Sequence, residues 1–257
     1  MEALEALTTR ASPLALGEPG PDGAAIEVML GAAARAPDHG RLHPWRFIVI
    51  TGNARHALGD VFAAGLHRRE PDASPAILDK ERAKPLRAPL VVIVVARVRD
   101  HRNVPAIEQV VSAGAAAQNI LVAAHALGYG GFWRTGAAAY DSGIKEALGL
   151  RVQDAIVGFL YLGTVAVPAP SLPRSAPAEF VVYWTGPAPV AQATTAPNFS
   201  EQTQRVSIII LATCGDRISP VHEDDAVGGI PRRSNAPGVL RRPSNHGWGR
   251  NDEPGVS

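Results

Sequence analysis

Cysteine is almost missing from this 257-residue chain: Cys214 stands alone, which excludes a disulfide framework and any zinc site built on thiolates. An excess of charge of either sign is missing too. The formal net charge of +1 provides no basic field to hold a polyphosphate, which argues against a dedicated nucleic-acid binder. Lysine is scarce, three residues against twenty-two arginines; together with the abundance of Ala, Gly and Pro this reads as coding bias and carries no functional information. No uninterrupted apolar run is long enough to span a bilayer. The most apolar long stretch, Val104 to Leu127, contains Glu108, Gln109, Gln118 and Asn119, polar groups that lipid rarely tolerates. The start, Met1 to Arg10, carries Glu2 and Glu5 and lacks the apolar centre of a secretory signal. These absences lead to the expectation of a soluble, cytoplasmic protein.

Apolar residues at 46% and charged residues at 19% suffice for a sizeable core. From the start to about residue 186, helical and strand patterns alternate. Helices are expected over Glu2–Thr9, over Asp22–Ala34 with Asp22 as N-cap, over Asn53–Arg69 and Ala76–Arg87, over Val104–Leu127 closed by Gly128, and over Ser142–Leu148. Short, nearly continuous apolar runs predict strands at Pro44–Thr51, Pro89–Arg97, Gly131–Arg134, Ala155–Gly163 and Phe180–Trp184. The pattern is that of an α+β or three-layer α/β domain over residues 1–186. Residues 187–257 contain 15 Pro or Gly and two aromatics, Phe199 and Trp248, and one apolar burst, Val206–Ala212. They are expected to form a disordered tail.

Common cofactor signatures fail. Lys80, Lys84 and Lys145 lack the glycine run of a phosphate-binding loop. Gly128-Tyr129-Gly130-Gly131 follows a helix and precedes a strand, the reverse of a dinucleotide turn. His39 and His43 are separated by Gly40 and followed by Pro44, so no helix aligns them on a metal. What remains is a set of arginines beside small residues at element boundaries: Arg10-Ala11-Ser12, the segment from Arg35 to His39, and Trp133-Arg134-Thr135. Guanidinium groups bind phosphate in bidentate fashion, yet each arginine taken alone reads more readily as a solvated charge at an element end, and only their recurrence at boundaries favours a ligand.

The stretches EALEALTTRAS, RAPDHGRLHPWRFIVI, AKPLRAPLVVIVVA, VPAIEQVVSAGAAAQNILVAAHALGYGGFWRTG and VGFLYLGT resemble, in order and spacing, the nitroreductase family of FMN flavoproteins. The resemblance covers about 184 residues and is nearest to the small NAD(P)H nitroreductases. It implies a three-layer α/β/α sandwich with a mixed central sheet flanked by helices, a homodimer with FMN at its interface, and NAD(P)H as co-substrate. It implies cofactor contacts at Arg10, Ala11, Ser12, Arg35, His39, Trp133, Arg134 and Thr135. It implies no side-chain acid or base, since the hydride chemistry belongs to the flavin, and nitroaromatic, quinone or similar acceptors. A flavin store with little turnover, or a same-fold enzyme using flavin otherwise, are the alternatives. One departure stands out: the family's start motif has a second arginine, and the position near Leu14 is apolar here.

Overall fold

The computed structural model describes residues 1–171 and 175–184. The chain divides into two units, Met1–Arg174 and Ser175–Ser257. Residues 187–257, including Val206–Ala212, lie outside the described residues.

The first unit runs α1 (Ala3–Thr9), β1 (Ala15–Gly17), α2 (Gly23–Ala33), β2 (Trp45–Thr51), α3 (Ala54–Arg69), α4 (Pro75–Arg82), β3 (Leu90–Ala96), α5 (Ala106–Ala126), β4 (Gly130–Arg134), α6 (Ser142–Ala147) and β5 (Ala155–Val167). Its centre is β3, seven apolar residues all buried. A strand's side chains alternate between faces, so β3 feeds two cores. Leu90, Val92, Val94 and Ala96 pack with α2 and α5, while Val91, Ile93 and Val95 pack with Phe62 of α3 and Ile144 of α6. Two cores on the two faces of one sheet make the expected three-layer α/β/α arrangement.

The sheet itself corrects an expectation. Among the described residues it is not mixed: β1–β5, β2–β3, β3–β5 and β4–β5 are all antiparallel. The reason lies in the order of the strands. The crossover from β3 through α5 to β4 leaves those two strands pointing the same way. Residues 159–162 of β5 pair with both of them, so β5 fills the slot between the parallel pair and every ladder becomes antiparallel. A second correction concerns Phe180–Trp184. The turn Pro177–Glu179 is a short 3-10 helix, and residues 180–184 form no strand. Strand structure is made by ladder bonds to a neighbouring backbone, which a β-branched and aromatic composition alone does not supply.

Local signals explain the helix ends. Asp22 Oδ1 accepts from the Ala25 N–H at 2.8 Å, the N-cap bond that its position predicts. Gly128 follows α5 with φ +89°, the left-handed closure that glycine adopts without steric cost. The expected helix Ala76–Arg87 instead stops at Arg82 and continues as a 3-10 turn, Lys84–Arg87. Pro85 has no N–H for the α ladder, and its ring would collide with the preceding turn. Among the described residues no helix is long and apolar enough to cross a membrane. The polar groups of α5 anchor loops: buried Gln109 donates to the carbonyls of Arg99 and Val104, at 2.8 and 3.1 Å.

Candidate functional site

The C-terminal end of β4 opens on a cavity of about 600 Å³, within the range of roughly 300–1,000 Å³ usual for small-molecule sites. Its floor is aromatic, with Phe62, Phe159 and Tyr161, and one wall is the run from Trp133 to Ala138. Gly136 adopts φ +68° with no atom within 4 Å of where a Cβ would stand, so the loop turns there beside open space. Tyr161 stacks on Phe132, with centroids 5.0 Å apart and planes 19° from parallel. Burial pushes its phenol up to about 12, against the pull of the Arg87 and Arg134 cations. The hydroxyl therefore keeps its proton at neutral pH.

Trp133, Arg134 and Thr135 all line this cavity, but they do so differently. The Trp133 indole packs with the α5-side core, and its Nε1–H donates to the Val157 carbonyl at 3.1 Å. Arg134 lies on the other face, with its guanidinium 5.2 Å from the Phe132 ring centroid.

The cavity also holds charges that the sequence pattern did not reveal: Arg69, Glu70, Glu81, Lys84 and Arg87. Two of the cations are engaged. Lys84 Nζ lies 2.5 Å from the nearly buried Glu81 carboxylate, and Arg69 bonds to Asp141. Asp141 caps α6 by accepting from the Ile144 N–H at 2.9 Å, and it also accepts from Arg68 at 3.0 Å. Burial alone would raise its pKa, but the Ile144 N–H and the two guanidiniums outweigh that and hold it below the ordinary carboxylate value. A depressed folded pKa adds stability that is complete above the unfolded value of about 3.9 and is lost as pH falls through the folded one. Asp141→Asn should therefore be less stable by about 2 kcal/mol at pH 7, with the difference shrinking below about pH 4. Thermal melts at pH 7, 4 and 3 test this; a gap that does not narrow in acid would refute it.

The remaining expected residues lie elsewhere. Arg10 is the half-buried C-cap of α1, and Ala11 and Ser12 follow it, exposed. Thr9 beside them hydrogen-bonds His125 of α5 at 2.8 Å. Arg35 is exposed. His39 sits in a separate apolar depression with Ile107, Val111 and Ala115 of α5, its Nδ1 2.6 Å from Glu108. That loop and the end of α2 before it are pinned from several sides: Asn119 donates to the Ala32 carbonyl at 3.0 Å, Ser112 to the Pro37 carbonyl at 2.6 Å, and the His43 N–H to Asp38 at 2.7 Å. One chain thus gathers Trp133–Thr135 in the large cavity and displays Arg35 and His39 on another surface.

Sequence comparison decides the family. A sequence model of the nitroreductase family matches residues 16–164. The chain belongs to the nitroreductase family. It is 43% identical over 185 residues to "Putative NAD(P)H nitroreductase YdjA" of Escherichia coli strain K12, covering 72% of this chain and all of that relative. A Haemophilus influenzae protein, "Putative NAD(P)H nitroreductase", is 37% identical over 165 residues, 64% of this chain and 89% of its own. Among solved structures, a nitroreductase-like family protein from Bacillus cereus superposes with a TM-score of 0.63 at 22% identity, covering 72% of this chain and 97% of that one. A nitroreductase with bound FMN from Bacteroides fragilis gives 0.56 at 19%, covering 72% and 100%. These likenesses agree with the antiparallel α+β architecture described above.

Proposed function

We propose that this chain is an FMN-dependent NAD(P)H oxidoreductase that reduces nitroaromatic, quinone or similar acceptors, with each site assembled from two copies. The observation that carries the reading is the cavity at the end of β4: aromatic floor, cationic wall, a glycine turn, and a volume suited to a flavin. When bound, FMN supplies hydride transfer between NAD(P)H and the acceptor. The chain's own part is binding, orientation and exclusion of water. The Trp133–Gly136 backbone offers N–H groups to ring oxygens or ribityl hydroxyls. Arg10, Ala11 and Ser12, on the segment leading into β1, would hold the phosphate end. Tyr161, held protonated, presents a neutral surface at the floor, where a phenolate would repel electron-rich flavin.

Arg35 and His39 would serve the partner's cavity. The separate surface they occupy supports this, as does the apolar character around them. Ile107 and Val111 are 66% and 63% exposed, an unusual placement for large aliphatic side chains on a core helix. α1 buries Ala6 alone and leaves Leu4 77% exposed. Covering such surface is what a second copy does in an isologous dimer.

The test is a visible spectrum of the purified protein, followed by anaerobic addition of NADH or NADPH. A yellow protein that bleaches and recolours with menadione or a nitroaromatic is expected. A yellow protein that bleaches with neither nucleotide would overturn the catalytic reading in favour of flavin storage, and a protein that takes up no FMN would overturn both.

A further inference from the structure

Beside the large cavity lies a second depression of about 340 Å³, lined by Leu14, Ala15, Arg87, Phe132 and Arg134. Arg87 and Arg134 therefore border both spaces. The two guanidiniums differ in their engagement. Arg134 lies over the Phe132 ring, whereas Arg87 has no ion pair or hydrogen bond among the described residues. The other cations of the large cavity, Arg69 and Lys84, each face a carboxylate. Arg87 is thus a cavity-lining cation with neither a carboxylate nor an aromatic ring as partner among the described residues, and its five N–H donors are open to a ligand.

Its position is built rather than incidental. Pro85 breaks the helical ladder, the chain tightens into the 3-10 turn Lys84–Arg87, and that turn packs against β1, next to Leu14. The same turn leads into the fully buried β3, so the base of the Arg87 side chain is fixed by the core. Its field also reaches Tyr161, where it opposes the rise caused by burial.

We propose that Arg87 binds an anionic oxygen of the flavin cofactor, taking from the 3-10 turn the role of the second cation that the start segment lacks at Leu14. The proposal rests on the FMN-binding reading above. The shared chemistry is a guanidinium facing a negatively charged or electron-rich oxygen, and two parts of the cofactor carry one: the phosphate, and the dione edge of the ring.

FMN dissociation constants are measured by quenching of flavin fluorescence on apoprotein, for the unmodified chain, Arg87→Ala, Arg87→Lys and Leu14→Arg/Arg87→Ala. Melting temperatures and far-UV circular dichroism accompany each. Arg87→Ala should bind FMN at least tenfold more weakly with an unchanged fold, because the side chain is exposed and bonds to no other described residue. Arg87→Lys should lose less. Leu14→Arg in the Arg87→Ala background should recover a substantial part of the loss, since it returns a cation to the same depression. Riboflavin, which lacks the phosphate, assigns the contact: equal riboflavin binding with and without Arg87 puts the guanidinium on the phosphate, and a parallel loss puts it on the ring. FMN binding within twofold of the unmodified chain in Arg87→Ala overturns the proposal while leaving the FMN reading intact. Failure of the unmodified chain to bind FMN overturns both.

Discussion

Replacing Ile107 and Val111 together by glutamate should halve the mass measured by light scattering, to the 27.0 kDa of one chain, and strip the protein of FMN. Both side chains stand out from α5, so neither holds its own fold together, and each belongs to the depression that contains His39. Burying one aliphatic side chain of this size is worth about 2 kcal/mol. In the proposed isologous dimer every interface residue occurs twice, so the pair of substitutions would remove on the order of 8 kcal/mol of burial and place four carboxylates in the apolar interface. That exceeds what separates a micromolar from a millimolar dimer, about 4 kcal/mol. Loss of flavin follows if Arg35 and His39 act across the interface, because a monomer cannot deliver them to a cavity on its other surface. A variant that remains dimeric, or a clean monomer that keeps stoichiometric FMN, would refute the two-chain site.

Gly158→Ala should be the most damaging single methyl group in the sheet. A Cβ at residue 158 would stand 2.0 Å from the Trp133 Nε1 and 2.5 Å from its Cδ1. Gly158 sits in the middle of β5, paired with Val94 of the buried β3, so the backbone has little room to yield. The indole must leave, and with it goes the bond to the Val157 carbonyl. Overpacking costs about 1–3 kcal/mol and the lost hydrogen bond about 1 kcal/mol, for a fall in melting temperature of roughly 5–15 °C. Because Trp133 leads directly into the cavity wall, FMN affinity should fall in the same variant. Trp133→Phe in the Gly158→Ala background trims the group that collides and should recover part of the stability. An unchanged melting temperature in Gly158→Ala would show that the indole is not packed as described.

These two predictions mark where sequence was informative and where it stopped. The apolar run around β3, the Asp22 cap and the Gly128 closure could be placed from residue type and spacing, because each is decided locally. β1 has no signature in the sequence, since three residues between prolines carry no periodicity. The direction of the ladders is not legible in sequence because strand pairing is settled by which chain segment fills a slot, and no feature within β5 announces that it lies between β3 and β4. At the site, Trp133–Thr135 could be placed by motif. The cations on the 3-10 turn could not: Lys84 and Arg87 reach the cavity through Pro85, which interrupts the very helix that periodicity predicts. The signal that could have found them is Pro85 itself, at the centre of a run of charged residues just before a buried strand.

The slot filled by β5 also sets a schedule for synthesis. β3 ends at Ala96 and β5 begins at Ala155, so about 60 residues must be added before this fully buried strand gains its inner neighbour. At ribosomal speeds of roughly 5–20 residues per second, that interval is about 3–12 s. During it, β3 can pair with β2 alone and offers an open, uncharged edge, the kind of surface that recruits other strands. The nascent chain is therefore most exposed to aggregation and most in need of chaperones in that window, and the arrival of β5 closes it in one step by pairing with β3 and β4 together.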